Sequence, residues 1–394
     1  MSGRIETTTA GSLPRTAELI AANRARTFAD DGFTLQSTSE FETLTAAAVA
    51  DAVRRQREAG ITLVGDGEFG KAMSNAVDYG AWWSYSFQRV TGLSLTEVNA
   101  FTEPPARSRP GDVRLTSFLD RRDRNLFPAV YAEAVEVGRN ATAFPTTTGP
   151  LSYRGQEAVA ADIRHLKAAL REGEQGFLTA IAPGSASRVR NEFYATDEEH
   201  IFAWADALRE EYRAIVDAGL ILQLDDPCLA ENWDQINPAP TPDEYRAFTR
   251  IRIDAINHAI AGLPKEQVRL HLCWGSWHGP HTTDIELREI LPEVLRANVG
   301  SVSFEAGNVR HEHEWEVWAD AAVPEDLVLV PGVVSHATNV VEHPDLVAQR
   351  IRRFTGIVGD DRVIASTDCG LGGRIHPDLA WAKLEALGEG ARRA

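Results

Sequence analysis

Residues 268–273 read Val-Arg-Leu-His-Leu-Cys, a short apolar run that ends in a histidine and a cysteine two residues apart. The run has the length and the apolar content of a buried β-strand. Because strand side chains alternate between the two faces, His271 and Cys273 are expected to project from the same face. The strand therefore brings two groups that can bind a metal to one place.

Eight further apolar or β-branched runs lie along the chain, and helical patterns separate most of them. This repetition predicts an α/β protein with a parallel sheet covered by helices, namely a (β/α)8 TIM barrel. An open doubly wound sheet is the alternative, but no glycine-rich turn follows the first strand. The predicted strands are residues 5–9, 61–65, 143–147, 177–181, 220–224, 268–273, 301–305, 327–331 and 362–366. The main predicted helices are residues 45–59, 197–218, 242–261, 284–297 and 344–358.

Nine predicted strands are one more than such a barrel contains. We expect either residues 143–147 or residues 177–181 to lie outside it. Residues 82–139 also fit the repeat poorly, since they contain several prolines and a charged run at residues 120–124. We interpret them as an insertion after the second strand, a hairpin and a lid, within one domain formed by residues 1–394.

The composition argues against nucleic acid and membranes as partners. The apolar share of 43% and the charged share of 25% are ordinary for a globular protein. The formal net charge of −17 would be repelled by a phosphate backbone. No stretch has the apolar length of a signal peptide or a membrane span, so we expect a cytoplasmic protein. The three cysteines lie far apart, which argues against a secreted disulfide framework.

Chemically reactive residues follow nearly every predicted strand. In a (β/α)8 barrel the carboxyl ends of the strands form the active face, so residues hundreds of positions apart would converge at one mouth. These residues are Asp66 and Glu68, Asp225 and Asp226, His271 and Cys273, Glu305, Ser335 and His336, and Asp368 and Cys369.

Four of them, His271, Cys273, Glu305 and Cys369, form a candidate set of metal ligands. Two thiolates, one imidazole and one carboxylate suit tetrahedral zinc, and soft sulfur favours zinc over magnesium or calcium. A replaceable oxygen ligand is typical of a catalytic site rather than a closed structural site. The sequence therefore predicts a Zn²⁺ cofactor. The alternative is that the histidine and the cysteines are core residues.

The motifs and their order resemble the cobalamin-independent methionine synthase superfamily. The resemblance is to its catalytic barrel and extends from about residue 5 to 375. Within the superfamily the chain is most similar to the stand-alone group, to which epoxyalkane:coenzyme M transferase also belongs. The matching motifs are Gly11-Ser12-Leu13-Pro14-Arg15, Gly67-Glu68, Gln223-Leu224-Asp225-Asp226-Pro227, His271-Leu272-Cys273, Ser303-Phe304-Glu305, Pro331-Gly332-Val333 and Asp368-Cys369-Gly370-Leu371.

The resemblance implies an enzyme that activates a small-molecule thiol as a zinc thiolate and S-alkylates it. The candidate catalytic residues are His336, Asp225 and Glu68. Of these, His336 would be the proton donor, although it stands one position away from the histidine of the family motif. The candidate substrate-binding residues are Gly11, Ser12, Arg15, Glu68, Asp225 and Trp274.

Several functions are compatible with the predicted zinc site and these motifs. Methyl transfer from 5-methyltetrahydrofolate or another carrier to homocysteine is the leading hypothesis. Opening of an epoxide by a thiolate such as coenzyme M is the alternative. A zinc hydrolase is disfavoured because two thiolate ligands make a bound water less acidic. A zinc-binding protein without catalytic activity is the alternative hypothesis that does not involve an enzyme. The oligomeric state stays open.

Other residues carry weaker signals. The aromatic residues Trp82, Trp83, Tyr85 and Phe87 either stack on a flat donor such as a folate or form the core of the insertion. The histidines His278 and His281 are expected near the mouth, and His311 and His313 in a solvated loop. The remaining cysteine, Cys228, is expected to be a buried thiol.

Overall fold

The computed structural model describes residues 5–71, 81–97, 103–133 and 144–394. Its strands are β1 (Glu6–Thr7), β2 (Val64–Gly65), β3 (Leu93–Thr96), β4 (Phe144–Thr147), β5 (Gly176–Ile181), β6 (Arg190–Asn191), β7 (Ile221–Asp225), β8 (Val268–Leu272), β9 (Ser301–Phe304), β10 (Val328–Val334) and β11 (Ile364–Thr367). Eight of them form one sheet in the order β1-β11-β10-β9-β8-β7-β5-β2, in which every neighbouring pair is parallel.

The two ends of this sheet meet. The backbone N–H groups of Thr62 and Leu63, just before β2, donate to the carbonyl oxygen of Thr7 in β1 at 3.1 and 2.9 Å. The Thr8 hydroxyl donates to the carbonyl oxygen of Leu63 at 2.9 Å. The sheet therefore curls back on itself, and the predicted TIM-barrel fold is confirmed. The open doubly wound alternative does not apply.

Helices cover the outside of the barrel. The long α8 buries Ile201, Leu208 and Ile215 at intervals of seven residues, which place them on one face of the helix. The helices are α1 (Ala17–Arg24), α2 (Ser39–Glu58), α3 (Ala81–Arg89), α4 (Arg122–Leu126), α5 (Pro128–Glu133), α6 (Gln156–Ala169), α7 (Pro183–Ala186), α8 (Asp197–Asp217), α9 (Cys228–Glu231), α10 (Pro242–Ala259), α11 (Leu287–Val294), α12 (Trp315–Asp320), α13 (Pro344–Val358) and α14 (Pro377–Arg393).

Two predicted helices differ from the observed ones. The helix expected from residue 45 begins at Ser39, because the Thr38 hydroxyl caps it by accepting from the backbone N–H of Phe41 at 3.1 Å. The helix expected over residues 284–297 is the shorter α11. Residue Asp284 precedes it, and its carboxylate is bound to His281 and His311. In the described residues no helix has the length and the apolar character needed to cross a membrane.

A second, three-stranded sheet lies outside the barrel. Strand β4 pairs antiparallel with β3 and parallel with β6. Residues 144–147 are therefore the excursion, whereas residues 177–181 belong to the barrel strand β5. Residue 143 lies outside the described residues.

The predicted insertion separates β2 from β4 and contains α3, β3, α4 and α5; its residues 98–102 and 134–139 are outside the described part of the chain. It contacts the loop that follows β8. The Asp123 carboxylate accepts from the backbone N–H of Thr282 at 2.9 Å, and the indole N–H of Trp277 donates to the Tyr131 hydroxyl at 2.8 Å. The insertion thus packs on the carboxyl-terminal face of the barrel.

Candidate active site

Three predicted metal ligands, His271, Cys273 and Cys369, come together at the carboxyl ends of the strands. One ligand atom from each lies within 4.8 Å of the other two. The first two lie at the end of β8, and Cys369 follows β11, with β9 and β10 between these strands in the sheet. The side chains of His271 and Cys273 are buried. The barrel geometry therefore brings three of the four predicted ligands together.

The ring of His271 is oriented by a neighbouring strand. Its Nδ1 lies 3.0 Å from the hydroxyl oxygen of Ser303 on β9. Its Nε2 is buried and has no hydrogen-bond partner among the described residues. A metal-binding histidine characteristically uses one ring nitrogen for the metal and the other for an orienting hydrogen bond. The arrangement leaves Nε2 as the nitrogen available to an ion.

The two thiols interact with each other. Contact with Cys273, and then with His271, lowers the pKa of Cys369 well below its ordinary value. The same contact, together with burial, raises the pKa of Cys273 well above its ordinary value. The pair therefore favours one thiolate stabilised by one thiol and one imidazole. Such a thiolate is the form of cysteine that binds a metal.

The fourth predicted ligand, Glu305, belongs to an adjoining cluster. One oxygen of its carboxylate, together with one atom each from His336 and Asp368, forms a second group within 4.8 Å. Its Oε1 accepts from the backbone N–H of Trp274 at 2.9 Å, and its Oε2 accepts from the side-chain amide of Asn308. The Glu305 carboxylate is thus held by the loop after β8 as well as by its own loop.

This second cluster contains buried polar atoms without partners. Neither Nδ1 of His336 nor Oδ2 of Asp368 has a hydrogen-bond partner in the described part of the chain. Burial lowers the pKa of His336 to about 4 and raises the pKa of Asp368 to about 6. Burial also raises the pKa of Glu305 well above its ordinary value. Buried polar atoms are rarely left unpaired, so the cluster is suited to receive an ion or a substrate.

The first loop of the barrel docks on the loop that carries Cys369. The carbonyl oxygen of Ser12 accepts from the backbone N–H groups of Leu371 and Gly372 at 2.8 and 3.1 Å. Residue Gly11 has a φ of 121°, and a Cβ placed on it would lie 2.5 Å from Oε1 of Glu68. Only glycine permits this backbone conformation beside the Glu68 carboxylate.

Two of the candidate carboxylates line the interior next to this loop. The Glu68 side chain is buried, and its Oε2 has no hydrogen-bond partner in the residues that the structure describes. The Asp225 carboxylate accepts from the Gln223 amide at 2.7 Å and is in register with His271. Burial raises the pKa of Asp225 to about 7, and the charge of Glu68 acts in the same direction.

Two other candidate substrate-binding residues, Arg15 and Trp274, form contacts within the protein. The Arg15 guanidinium donates to the carbonyl oxygens of Glu68 and Lys71 at 2.6 and 3.1 Å. The indole of Trp274 donates to the carbonyl oxygen of Ile285 at 2.7 Å and stacks on His311 at a centroid distance of 3.8 Å. In this structure Arg15 fixes the Glu68 loop, and Trp274 directs its backbone N–H towards Glu305.

Two buried cations were missed by the sequence reasoning. The Lys71 ammonium donates to the Thr179 hydroxyl and lies 4.4 Å from the ring centroid of Tyr85. Residue Arg269, two positions before His271, donates to the Thr8 hydroxyl at 3.2 Å, and burial lowers its pKa to about 9. The alternation within β8 would have placed Arg269 on the His271 face. The sequence contained no corresponding signal for Lys71.

The expectation of a solvated loop holds for one of the two histidines His311 and His313. Residue His313 is exposed, as expected, but His311 is buried, and the expectation of a solvated loop is wrong for it. Its ring is held between Asp284 and Glu314 at 3.0 and 2.9 Å. Glu314 lies three residues after His311, whereas Asp284 comes from the loop after β8, which the spacing of the histidines does not reveal. The exposed His278 lies 3.0 Å from the carbonyl oxygen of Arg374.

The aromatic group at the start of the insertion and Cys228 are core features. The rings of Trp83 and Phe87 are 5.3 Å apart, and Trp83 also packs on Phe144 at 5.5 Å. The thiol of Cys228 is fully buried and donates to the Asp226 carboxylate at 2.7 Å. The expectation of a buried thiol is confirmed, and Asp226 is engaged in this contact.

The fold and the site define an α/β barrel protein with a His-Cys-Cys group at the active face. Comparison with protein families is consistent with this class: residues 153–392 match the family described as cobalamin-independent synthase, catalytic domain. The chain belongs to this family, and the resemblance inferred from its motifs is confirmed.

Two relatives and one solved structure illustrate the similarity. The 2-hydroxypropyl-CoM lyase of Xanthobacter autotrophicus is 24% identical over 374 residues, which cover 88% of this chain and 84% of that protein. The methionine synthase of Thermococcus kodakarensis is 24% identical over 203 residues, about half (51%) of either chain. A B12-independent methionine synthase from a Shewanella species, solved with selenomethionine, has a TM-score of 0.70 at 20% identity and covers 99% of this chain and 97% of that one. This structural likeness shows a shared fold.

Proposed function

We propose that the protein is a zinc-dependent alkyltransferase that S-alkylates a small-molecule thiol. The leading reaction is methyl transfer to homocysteine from 5-methyltetrahydrofolate or another methyl carrier. The observation that carries the proposal is the group of His271, Cys273 and Cys369, whose ligand atoms lie within 4.8 Å of one another. Family membership supports alkyl or methyl transfer to a thiol as the general chemistry.

The residues present fit a zinc ion. The Nε2 atom of His271 and the sulfur atoms of Cys273 and Cys369 would hold it, with Glu305 as the fourth ligand. Two sulfurs and an imidazole favour zinc over harder cations. Zinc bound there would lower the pKa of a coordinating thiol and keep its sulfur nucleophilic at neutral pH. The unpartnered, buried Nε2 of His271 is the structural support for this assignment.

The role proposed for Glu305 is that of an exchangeable ligand. Its carboxylate already accepts from the Trp274 backbone N–H and from Asn308. If an acceptor thiol took the place of Glu305 on the ion, these two donors would still hold the carboxylate. Its charge would then not be isolated in the interior, where an isolated charge would be costly.

The polar tail of the acceptor is assigned to the loops after β1, β2 and β7. An ammonium group would bind between Glu68 and Asp225, since Glu68 Oε2 is buried without a partner among the described residues. The backbone at Gly11 and Ser12 would contact the rest of the tail, because that backbone abuts Glu68. We assign Arg15 the role of holding the Glu68 loop, and Trp274 that of orienting Glu305.

We assign His336 as the proton donor to the leaving group. In methyl transfer a carbon–sulfur bond forms while the bond between the methyl carbon and the carrier nitrogen breaks, and the departing nitrogen takes up a proton. The His336 ring is buried, adjoins Glu305 and Asp368, and has a ring nitrogen without a partner in the described residues. A ring nitrogen that can carry a proton beside the proposed metal site supports this assignment, and the lowered pKa of His336 makes its protonated ring a strong acid.

Opening of an epoxide by a thiol such as coenzyme M is the second candidate. It is favoured by the alignment with the Xanthobacter 2-hydroxypropyl-CoM lyase, which spans 88% of this chain, whereas the alignment with the Thermococcus methionine synthase spans 51%. The ring-opened alkoxide would need a proton, for which His336 serves equally. Either reaction requires free thiols, so we propose a reducing compartment, the cytoplasm, as its location.

A thiol and donor screen tests the proposal. Zinc-loaded protein is incubated with homocysteine or coenzyme M, each with 5-methyltetrahydrofolate or an epoxide, and thioether products are identified by mass spectrometry. Methionine supports the first candidate, and a hydroxyalkyl thioether of coenzyme M supports the second. The C369S variant should form neither product, and C228S is the matched control that retains activity. Absence of every thioether from zinc-loaded protein would favour a non-catalytic zinc-binding protein.

A further inference from the structure

Two buried arginines share one glutamate at the active face. The Arg188 guanidinium contacts the Glu231 carboxylate at 2.9 Å, and the Arg121 guanidinium donates to the same carboxylate. The side chains of Arg121, Arg188 and Glu231 are 9%, 2% and 7% exposed. Burial by itself would raise the pKa of Glu231, but the two guanidinium groups hold it at about 2. The carboxylate is therefore ionised, and the three side chains together carry one excess positive charge.

This arginine pair is assembled from loops on the carboxyl-terminal face of the barrel. Residue Arg121 lies in the insertion after β2, Arg188 follows β5, and Glu231 ends α9 after β7. The loop after β8 completes the enclosure: a Cβ placed on Gly275, two residues beyond Cys273, would lie 3.0 Å from Cγ of Glu231. The arginine pair thus adjoins the segment that carries a candidate metal ligand.

Two N–H-bearing groups of the arginine pair make no hydrogen bond within the described residues. The Nη1 group of Arg121 and the Nε group of Arg188 are buried and have no hydrogen-bond partner among the described residues. The remaining amino group of Arg188, Nη2, donates to Gln235 at 2.7 Å. A guanidinium presents five N–H groups in a planar fork that matches carboxylate, sulfonate and phosphate oxygens. The unused donors therefore suit an oxyanion.

Aromatic rings enclose the same two guanidinium groups. Both lie over Phe118, with guanidinium carbons 5.1 Å from its centroid for Arg121 and 4.7 Å for Arg188. The Arg121 guanidinium also lies 4.5 Å from the Trp277 ring. Aromatic faces stabilise the cations and exclude water, which strengthens their attraction for a bound anion.

The neighbouring carboxylates do not neutralise the excess charge. The charge of Asp234 acts on Arg121 and also on Arg122. In the same way, Asp226 interacts electrostatically with Arg188 and also with Arg252. Each of these two carboxylates therefore has an additional arginine of its own. Glu231 remains the one carboxylate in direct contact with both Arg121 and Arg188 within the described ranges.

We propose that Arg121 and Arg188 form a binding site for an oxyanion of a substrate, namely a carboxylate, sulfonate or phosphate group whose parent molecule reacts at the metal. This inference rests on the proposed function for its assignment to a substrate. The site would discriminate substrates by charge and by the distance between their anionic group and their reacting atom. The Arg-Glu-Arg contact as a purely structural ion triad is the competing explanation.

Inorganic sulfate is the probe, measured by calorimetric titration of the full-length protein with its metal content held constant. Wild-type protein should bind sulfate, and R121Q and R188Q should each weaken binding roughly tenfold or more, as expected for loss of a charge-assisted hydrogen bond. The matched control is R114Q, which removes an exposed arginine of the same insertion that pairs with the exposed Asp112 at 2.9 Å. Its sulfate affinity should stay near the wild-type value.

The E231Q variant distinguishes an oxyanion-binding site from a purely structural ion triad. Removing the shared carboxylate raises the charge of the pair, so sulfate affinity should increase several-fold, and sulfate should raise the melting temperature of E231Q more than that of wild type. A purely structural triad would instead lose stability in E231Q without any gain in sulfate affinity. The proposal would be overturned by that result. It would also be overturned if R188Q, the control R114Q and wild type bound sulfate with equal affinity.

Competition then identifies which substrate carries the oxyanion. Competitive inhibition by sulfate against the thiol acceptor assigns the group to the acceptor, and competition against the alkyl donor assigns it to the donor. Sulfate that binds at the pair but competes with neither substrate would refute the assignment to a substrate. Sulfate binding is measurable whether or not alkyl transfer occurs, so failure of the site and failure of the proposed function give different results.

Discussion

His271 on β8 and Ser303 on β9 face each other in register, with 3.0 Å between Nδ1 of the ring and the serine hydroxyl oxygen. This contact fixes the imidazole so that Nε2 remains without a hydrogen-bond partner in the described residues. A second residue, contributed by the neighbouring strand, thus selects the nitrogen that can bind a metal. The candidate metal site therefore depends on β9 as well as on the strands that carry its ligands.

Loss of this contact should weaken zinc binding without unfolding the protein. We expect S303A to lower zinc affinity about 10- to 100-fold, the usual effect of losing an orienting partner. Competition with a chromophoric chelator measures the affinity. Serine 301 on the same strand is paired with Arg269 and provides the control, S301A. Equal zinc affinity in S303A and S301A would contradict the role of Ser303.

Loss of either thiol should remove zinc and activity together. The C273S and C369S variants should retain far-ultraviolet circular dichroism like that of wild type, because the ligands lie at the mouth of the barrel rather than in its core. Metal analysis of the purified proteins should find less than stoichiometric zinc in both. Stoichiometric zinc in both variants would refute the ligand assignment.

A buried ion pair supports the loop that carries His336. The Lys383 ammonium on α14 lies 2.8 Å from Glu342, whose carboxylate also accepts from the backbone N–H of Ser335 at 2.7 Å. The Lys383 side chain is fully buried and that of Glu342 is 6% exposed. We expect K383M to lower the free energy of unfolding by about 3–5 kcal/mol, because the glutamate charge is left buried and unpaired.

Denaturant titration measures this loss, and an exposed ion pair on the same helix provides the comparison. Arg393 pairs with Asp345 at 2.8 Å, with both side chains well exposed. The R393Q variant should leave the free energy of unfolding nearly unchanged, as is usual for surface ion pairs. A similar, small effect of K383M and R393Q would show that the buried pair does not stabilise the loop.

Histidine 200 should make stability depend on pH below neutrality. Its Nε2 lies 2.8 Å from the Thr147 hydroxyl and accepts from the indole N–H of Trp204 at 3.1 Å, so protonation would disrupt buried contacts. Burial lowers its pKa from 6.5 to about 4. Between these values the unfolded chain binds more protons than the folded one, so stability falls as pH falls from 6.5 to 4.

The contribution of this histidine is expected to be roughly 1–3 kcal/mol over that range. Urea titrations at several pH values compare wild type with H200Q, which cannot titrate there. Wild type should lose more stability than H200Q on acidification. Parallel pH profiles for the two proteins would show that another group dominates. This histidine lies in the region of the second sheet, so its effect is separate from metal binding.

Much of the architecture can be predicted from the sequence because the periodicities of strands and helices are local patterns. The alternation in residues 268–273 places His271 and Cys273 on one face, and the barrel then brings Cys369 to them. The choice between residues 143–147 and 177–181 stayed open in the sequence, although Pro145 in the first run argues against a central strand. Pairing with β3 places that run outside the barrel.

The less predictable parts of the site depend on contacts between distant loops. The sequence places Glu305 with the ligands, but it contains no sign that Trp274 and Asn308 hold its carboxylate. The ring of His311 is held by Glu314, three residues along the chain, and by Asp284, which no local pattern connects to it. For the same reason, the sequence alone does not reveal that the insertion and another loop bring two arginines to one glutamate.

Zinc X-ray absorption, with and without homocysteine, coenzyme M or cysteine, tests the central claim most directly. We predict a resting shell with two sulfur ligands that gains a third sulfur when one particular thiol is added. That thiol is then the acceptor, and loss of an oxygen ligand in the same spectrum would support exchange of Glu305. A sulfur count that no thiol changes, or the absence of zinc from the purified protein, would contradict the account.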